Sequence, residues 1–237
     1  MINATQNPHV KKARKYHQKK YRHKDKRCLI EGFHLLEEAR RKDCLETVFL
    51  LEPHPEYPTA NLISETVMKH LTDSKNPPPA AAVAIIPETQ TTGKQVLILE
   101  HIQDPGNVGT LIRSALAFGF DTIISDESAD FFSPKVLRST QGAVFHLQLH
   151  HMTVATFKQK NPAHTLIGTA LSSEASAPRK IPTPYALILG NEGAGLKTET
   201  LNHLDHTVMI PMRTIDSLNV GVAGSILMYV LTAPAYK

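Results

Sequence analysis

The sequence predicts an α/β protein: a parallel sheet with helices on both faces, preceded by a small α/β domain. Three observations carry this. From residue 94 onward, short apolar runs alternate with segments of helical periodicity, the pattern of a parallel sheet joined by crossover helices. A polar segment, ETQTTGK from Glu88 to Lys94, reads as a linker, placing domains at 1–87 and 94–237 with 88–93 between them. Positive charge is also local. Lys11 to Arg27 holds ten Lys/Arg and one acid, while the rest of the chain carries 16 basic and 21 acidic residues.

The first domain begins with helix and turn from Asn3 to Asp25, including Asn7-Pro8. Cys28 to Lys42 reads as a helix with an apolar face of Ile30, Phe33, Leu35, Leu36 and Ala39. Thr47–Leu51 is a short strand, 53–58 a proline-rich loop, Ser64–Leu71 a helix and Ala80–Ile86 an apolar strand after the Asn76-Pro77-Pro78-Pro79 break. In the second domain strands are expected at 96–101, 121–125, 144–149, 165–170, 185–190 and 206–211. Helices are expected at 107–118, 134–140, 152–159, 196–203 and 217–231. Asn107 stands where an N-cap would, and Ser133-Pro134 is a cap followed by Pro at the first helical position.

With 41% hydrophobic and 20% charged residues, the 237-residue chain can bury a core. Cys28 and Cys44 have no metal-ligand spacing and are too few for a disulfide framework. The 13 histidines are scattered, so no metal site is expected. The charged N-terminus has no apolar core segment, which predicts no signal peptide and a cytoplasmic protein. The chargeless stretch Ser217–Tyr236 is diluted by Ser217, Asn219, Gly221, Gly224, Ser225 and Pro234, so it is expected to be a buried helix rather than a membrane span. The basic run, with Tyr16 and Tyr21 interleaved, suits phosphate contacts with nucleic acid through Lys11, Lys12, Arg14, Lys19, Lys20 and Arg22.

Three stretches share one design, an apolar strand running into a polar loop and then a helix, which is where α/β proteins place ligands. In the first, Val96 to Gly119, Gly109 sits in the first helical turn and Arg113 lies well off the apolar stripe. In the second, a strand runs into Gly190-Asn191-Glu192-Gly193-Ala194-Gly195-Leu196. This is neither a dinucleotide fingerprint nor a P-loop, but it lets a ligand lie against backbone. The third runs from Val208 through Ile210-Pro211-Met212 to Ser217-Leu218-Asn219-Val220, with Gly221 and Gly224 leaving a smooth patch for helix packing.

Together these motifs resemble the SpoU (TrmH) group of SPOUT RNA 2′-O-ribose methyltransferases. The family's Asn-x-Gly-x-x-x-Arg is matched by Asn107, Gly109 and Arg113. Its strand followed by Gly-x-Glu-x-x-Gly-Leu is matched by Gly190, Glu192, Gly195 and Leu196. Its Ile-Pro-Met and Ser-Leu-Asn-Val are matched by Ile210–Met212 and Ser217–Val220. Lys135–Ser139 through Gly142-Ala143 looks like the family's substrate-side segment. Residues 1–87 are more loosely similar to the RNA-binding module many members carry, through Asn7-Pro8, Glu31-Gly32-Phe33 and Thr72-Asp73-Ser74. Two departures are Asp216, where the family more often has Glu, and Gly221.

The resemblance implies a SPOUT fold with a C-terminal trefoil knot and a homodimer. It also implies S-adenosylmethionine held by Thr169, Gly190, Asn191, Gly193, Gly195, Ile210, Ser217, Leu218 and Asn219. Asn107, Arg113, Glu192, Ser217 and Asn219 would form the catalytic set, and Arg138 would join the RNA contacts. Family opinion gives removal of the 2′-hydroxyl proton to the arginine. A guanidinium keeps its proton, so Arg113 is better suited to hold a phosphate, with Glu192 the alternative acceptor. The RNA is expected to be ribosomal; a transfer RNA, or a non-catalytic RNA-binding role on the same fold, are the alternatives.

Overall fold

The computed structural model describes residues 1–89, 91–169, 175–215 and 217–232. Asp216, the last residue of the expected 165–170 strand and the end of the chargeless stretch at Tyr236 lie outside these. The chain forms two compact units. The first comprises Met1–Glu88 together with Asp130–His146, and the second Thr89–Ala129 with the chain from Leu147 onward.

The first unit is built on a four-stranded sheet of order β1-β4-β2-β3, with β1 at Arg27–Glu31, β2 at Leu45–Leu50, β3 at Asn61–Leu62 and β4 at Ala80–Ile85. Both β1 and β2 pair antiparallel with β4, so they run in the same direction and end at the same edge. Helices α1 (Pro8–Arg14) and α4 (Glu65–Thr72) share one core with the sheet, where Val10, Ala13, Val67, Met68 and Leu71 meet Leu29, Phe49, Ala81 and Val83. Between them α2 covers Lys19–Asp25. Helix α3 (Phe33–Arg41) buries Leu35, Leu36 and Ala39.

The helix expected from Cys28 to Lys42 is therefore a strand followed by a shorter helix. Cys28, Leu29 and Ile30 are three consecutive buried residues, and such a run fits a buried strand as well as a helix face. Gly32, at φ +85°, is the break, in a backbone conformation that favours glycine.

The second unit holds a six-stranded sheet of order β10-β8-β9-β5-β6-β7, every pairing parallel. Its strands are β5 (Gln95–Glu100), β6 (Thr122–Asp126), β7 (Gln148–His151), β8 (Thr165–Thr169), β9 (Tyr185–Leu189) and β10 (His206–Val208). Side chains alternate between faces. Val96, Ile98, Ala186 and Ile188 share a core with Val154 and Phe157 of α7 (Val154–Lys160). On the other face α5 (Pro105–Ala117) and α9 (Val220–Thr232) pack together. A Cβ on Gly224 would stand 2.4 Å from Leu111 Cδ2 and 2.5 Å from Leu189 Cδ1, so the smooth patch is what lets α9 settle there.

Several boundaries differ from expectation. The strand expected at 144–149 is a 3-10 turn, Ala143–Phe145, followed by β7; α6 occupies Pro134–Thr140 as expected. Helix α8 is only Thr198–Leu201, and β10 ends at Val208. The N-cap of α5 is Asp104, whose Oδ1 accepts from Asn107 N at 2.8 Å. Pro105 takes the first helical position and Asn107 the third, which frees the Asn107 side chain. The last helix starts at Val220, not Ser217. Asn219 caps it, its Oδ1 accepting from Gly221 N (2.9 Å) and Val222 N (3.2 Å).

One member of the basic run does not face solvent. Arg22 is 3% exposed; it donates to the carbonyls of Tyr16 (2.7 Å) and His17 (2.8 Å) and pairs with Asp130 Oδ2 at 2.6 Å. These bonds occupy the guanidinium, so the expectation that Arg22 contacts RNA is corrected: it ties α2 to the 130–146 segment of its own unit. Burial would raise the Asp130 pKa, but the bonds and charge of Arg22 outweigh it and hold the carboxyl below its ordinary value.

Removing one partner of a buried pair leaves the other uncompensated. Asp130→Asn and Arg22→Ala should each destabilise the protein by about 3–5 kcal/mol at neutral pH in urea denaturation. Because the folded-state pKa of Asp130 is depressed, this contribution is present above the unfolded value, about 3.9, and is lost as pH falls through the folded one. The gap between wild type and Asp130→Asn should therefore narrow below about pH 4. An equal gap at neutral and strongly acidic pH would contradict this.

Candidate active site

Parallel pairing puts the carboxyl ends of β5 and β9 side by side, with Leu99 opposite Leu189. The chain leaving β5 turns into α5 and the chain leaving β9 enters the Gly190–Leu196 loop. Asn107 and Glu192 therefore meet although 85 residues separate them: Asn107 Nδ2 donates to Glu192 Oε1 at 2.8 Å. The third motif joins from α9, where Asn219 Nδ2 donates to Asn107 Oδ1 at 2.9 Å. Asn219 Oδ1 is already taken by the helix N–H groups, so Asn219 can offer only its NH2. Asn107 must then receive with oxygen and donate with nitrogen, and the donation falls on Glu192. One directed row thus runs from the α9 N-terminus to a carboxylate.

The glycine loop closes on itself. Asn191 and Gly195 exchange backbone hydrogen bonds of 3.0 and 2.9 Å. Asn191 Oδ1 accepts from Gly193 N and Ala194 N, and its Nδ2 donates to the His101 carbonyl at 3.0 Å. A Cβ on Gly190 would lie 2.4 Å from the Gly195 carbonyl carbon, so this glycine serves loop closure first. Gly195, at φ +70°, has open space where a Cβ would stand.

Beside the row lies a cavity of about 390 Å³, within the range of small-molecule sites. Thr169, Gly190, Asn191, Gly193, Gly195, Ile210, Ser217 and Leu218 all line it, as does Glu192. Asn219 does not; it stands in the polar row. Leu189, Leu196, Met212 and Leu227 make much of the wall apolar, and Thr169, Glu192 and Ser217 are among its polar lining residues. Among the described residues no cluster of His, Cys, Asp or Glu could hold a metal ion.

Arg113 is exposed on α5, outside both the cavity and the row, and has no ion pair or hydrogen bond among the described residues. Of the basic residues in the first unit, Lys11, Lys19 and Lys20 are exposed, Lys20 lying over the Tyr21 ring. Lys12 pairs with Glu46 at 3.3 Å, Arg14 donates to the His70 carbonyl, and half-exposed Arg138 pairs with Glu31 at 3.3 Å.

A supporting layer stands behind these residues, outside the three motifs. Glu100, 1% exposed at the end of β5, accepts from Lys197 N (2.7 Å) and Thr200 Oγ1. The Lys197 ammonium lies 3.6 Å from Asp126 and 3.5 Å from Glu127. Burial would lower the Lys197 pKa, but Asp126, Glu127 and Glu100 outweigh it and raise it. This layer pins the far end of the glycine loop to β5 and β6. Acidic residues closing otherwise apolar strands were the available signal.

The chain is similar to known proteins in sequence and in fold. Residues 94–229 match the SpoU rRNA Methylase family model, and residues 7–82 match the MRM3-like substrate binding domain. The chain is 36% identical over 242 residues to the 23S rRNA (guanosine(2553)-2′-O)-methyltransferase RlmP of Bacillus subtilis, covering 96% of this chain and 97% of the relative. A crystal structure of an AdoMet-bound rRNA methyltransferase from Sinorhizobium meliloti superimposes with a TM-score of 0.83 at 27% identity, covering 96% of this chain and 95% of that one. An RNA 2′-O ribose methyltransferase structure does so with a TM-score of 0.79 at 29% identity, covering 96% of each chain. The motif match and the near-complete alignment to RlmP establish that the chain belongs to the SpoU rRNA methylase family.

Proposed function

We propose that this chain transfers a methyl group from S-adenosylmethionine to the 2′-hydroxyl of a ribose in ribosomal RNA. The observation that carries the reading is the row from Asn219 through Asn107 to Glu192 beside a cavity walled by the glycine loop. The sequence relation to RlmP, whose name specifies a 23S rRNA guanosine, favours ribosomal over transfer RNA.

The cavity fits the cofactor by size and by its apolar wall, and Thr169 and Ser217 on its lining offer polar groups to it. When bound, S-adenosylmethionine supplies an electrophilic sulfonium methyl. The chain supplies positioning and charge. A 2′-hydroxyl is a weak nucleophile until its proton is taken or shared. Glu192, on the cavity wall, is the group that takes it. Asn107 fixes one carboxylate oxygen, and the other has no partner among the described residues, which leaves it to face the hydroxyl. Arg113 cannot act as a base; its guanidinium, without a partner among the described residues, suits the phosphate next to the target ribose and opposes charge developing on the oxygen.

No helix among the described residues is long and apolar enough to cross a membrane. The apolar α9 instead divides its surface. Leu227, Met228 and Leu231 are buried in its own unit, whereas Val222 (48%), Ile226 (38%) and Tyr229 (44%) are exposed, with Leu116 of α5 38% exposed. Val222, Ile226 and Tyr229 follow i, i+4, i+7 spacing and, with Leu116, form an exposed apolar stripe that a twofold-related copy would cover, supporting a homodimer.

The function is tested by mapping 2′-O-methyl groups in the ribosomal RNA of a strain lacking the gene and restoring the missing one with purified protein. The first nucleotide to inspect is the one aligned with guanosine 2553 of the relative's substrate. No missing methyl group, or methylation appearing only in transfer RNA, would overturn the ribosomal assignment. Arg113→Ala and Arg113→Lys should lose methyl transfer while cofactor affinity, read by calorimetry, stays within about tenfold, roughly 1.4 kcal/mol. Glu192→Gln, which keeps the Asn107 bond but cannot accept a proton, should also lose turnover; substantial activity would move the base elsewhere. Ile226→Glu should convert a dimer to monomer in sedimentation velocity at low micromolar concentration. Leu227→Glu, a buried substitution, would instead unfold the second unit. A wild-type monomer with full activity would refute the dimer.

A further inference from the structure

The first unit carries an aromatic cluster outside the core that α1 and α4 share with the sheet. Because β1 and β2 end at the same edge of the sheet, the residue opening α3 and the loop after β2 come together there. Phe33 lies with its ring centroid 4.9 Å from His54 and 6.3 Å from Tyr57, the latter pair nearly parallel at 27°; His54 and Tyr57 are 5.5 Å apart. Tyr57 is 8% exposed and forms the base of the cluster, while Phe33 is 36% exposed and forms its outer side. The loop is held in shape: His54 Nδ1 accepts from Glu56 N at 3.3 Å, and Tyr57 N donates to the His54 carbonyl at 3.0 Å. Arg40, paired with Glu56 at 3.0 Å, stands over the Tyr57 ring with its guanidinium carbon 5.6 Å from the centroid.

Phe33 leaves apolar ring surface in water that burial in a core would remove. Three mutually oriented rings bordered by a cation have the composition of a platform for nucleic-acid bases, since every base offers a π-face and the phosphate beside it is anionic. The family model describing a substrate binding domain spans all of these residues. We infer that Phe33, backed by His54 and Tyr57, stacks an unpaired base of the RNA substrate, with Arg40 at the edge of the platform for the adjoining phosphate. This rests on the RNA methyltransferase reading and extends it: the chain grips a single-stranded element of its substrate through its first unit, and does so without reading the base edge.

The test uses the full chain and a short single-stranded oligoadenylate carrying one 2-aminopurine, beside a fully paired duplex of the same length. Wild type should bind the single strand and quench the 2-aminopurine. Phe33→Leu keeps the apolar bulk but removes the π-face. It should weaken single-strand binding about tenfold or more and abolish the quenching, with duplex affinity unchanged. Phe33→Trp should retain both. If the wild-type chain methylates RNA, and either fails to bind and quench the single strand or is matched by Phe33→Leu in both, the platform is overturned and the activity stands. If the wild-type chain neither binds nor methylates any RNA, both readings fall.

Discussion

The amide of Asn107 has one donor group and one acceptor group facing its neighbours, and each is committed. It donates to Glu192 and accepts from Asn219, residues 85 and 112 positions away. Through those two bonds the segments leaving β5, leaving β9 and entering α9 are locked at one point. The commitment propagates because the helix N–H groups dictate which way Asn219 points, Asn219 dictates Asn107, and Asn107 dictates which Glu192 oxygen is restrained. A change of amide to acid or hydrocarbon anywhere in the row would leave a donor facing nothing or two acceptors facing each other.

That row depends in turn on how the loops are anchored. Asp104 caps α5 and so releases Asn107 from the capping role that its position in the sequence suggests. Glu100 and the Lys197 ammonium fasten the far end of the glycine loop against β5 and β6. The glycines then work at different tasks: Gly190 lets the loop return on itself, while Gly195 supplies a left-handed turn with open space beside it.

The basic run in the first unit divides along similar lines. Arg22 is internal, satisfied by two carbonyls and Asp130, while Lys11, Lys19 and Lys20 face solvent. A charge count cannot make this division, because burial of a guanidinium depends on where a carboxylate more than 100 positions later arrives. The same holds for the apolar α9: its composition shows that it must be covered on more than one side, but only packing decides that Leu227 lies inward and Ile226 outward.

Alternation of apolar runs and helical periods was enough to predict the parallel sheet, since strand burial and helix amphipathicity are local patterns. The motif residues were legible for the same reason: each sits where a strand ends and a loop begins. Other features needed the fold. The segment Cys28–Ile30 is a strand because β4 offers it a partner, not because its residues differ from a helix face. Helix α9 starts after Asn219 rather than at Ser217, and Asp104 rather than Asn107 caps α5, because several adjacent polar residues could serve as caps and the side chain that reaches the free N–H groups decides. The sequence by itself determined which side chains are available at the site. The tertiary structure decided their directions, because a hydrogen-bonded row across three distant segments exists only once parallel pairing has brought those strand ends together.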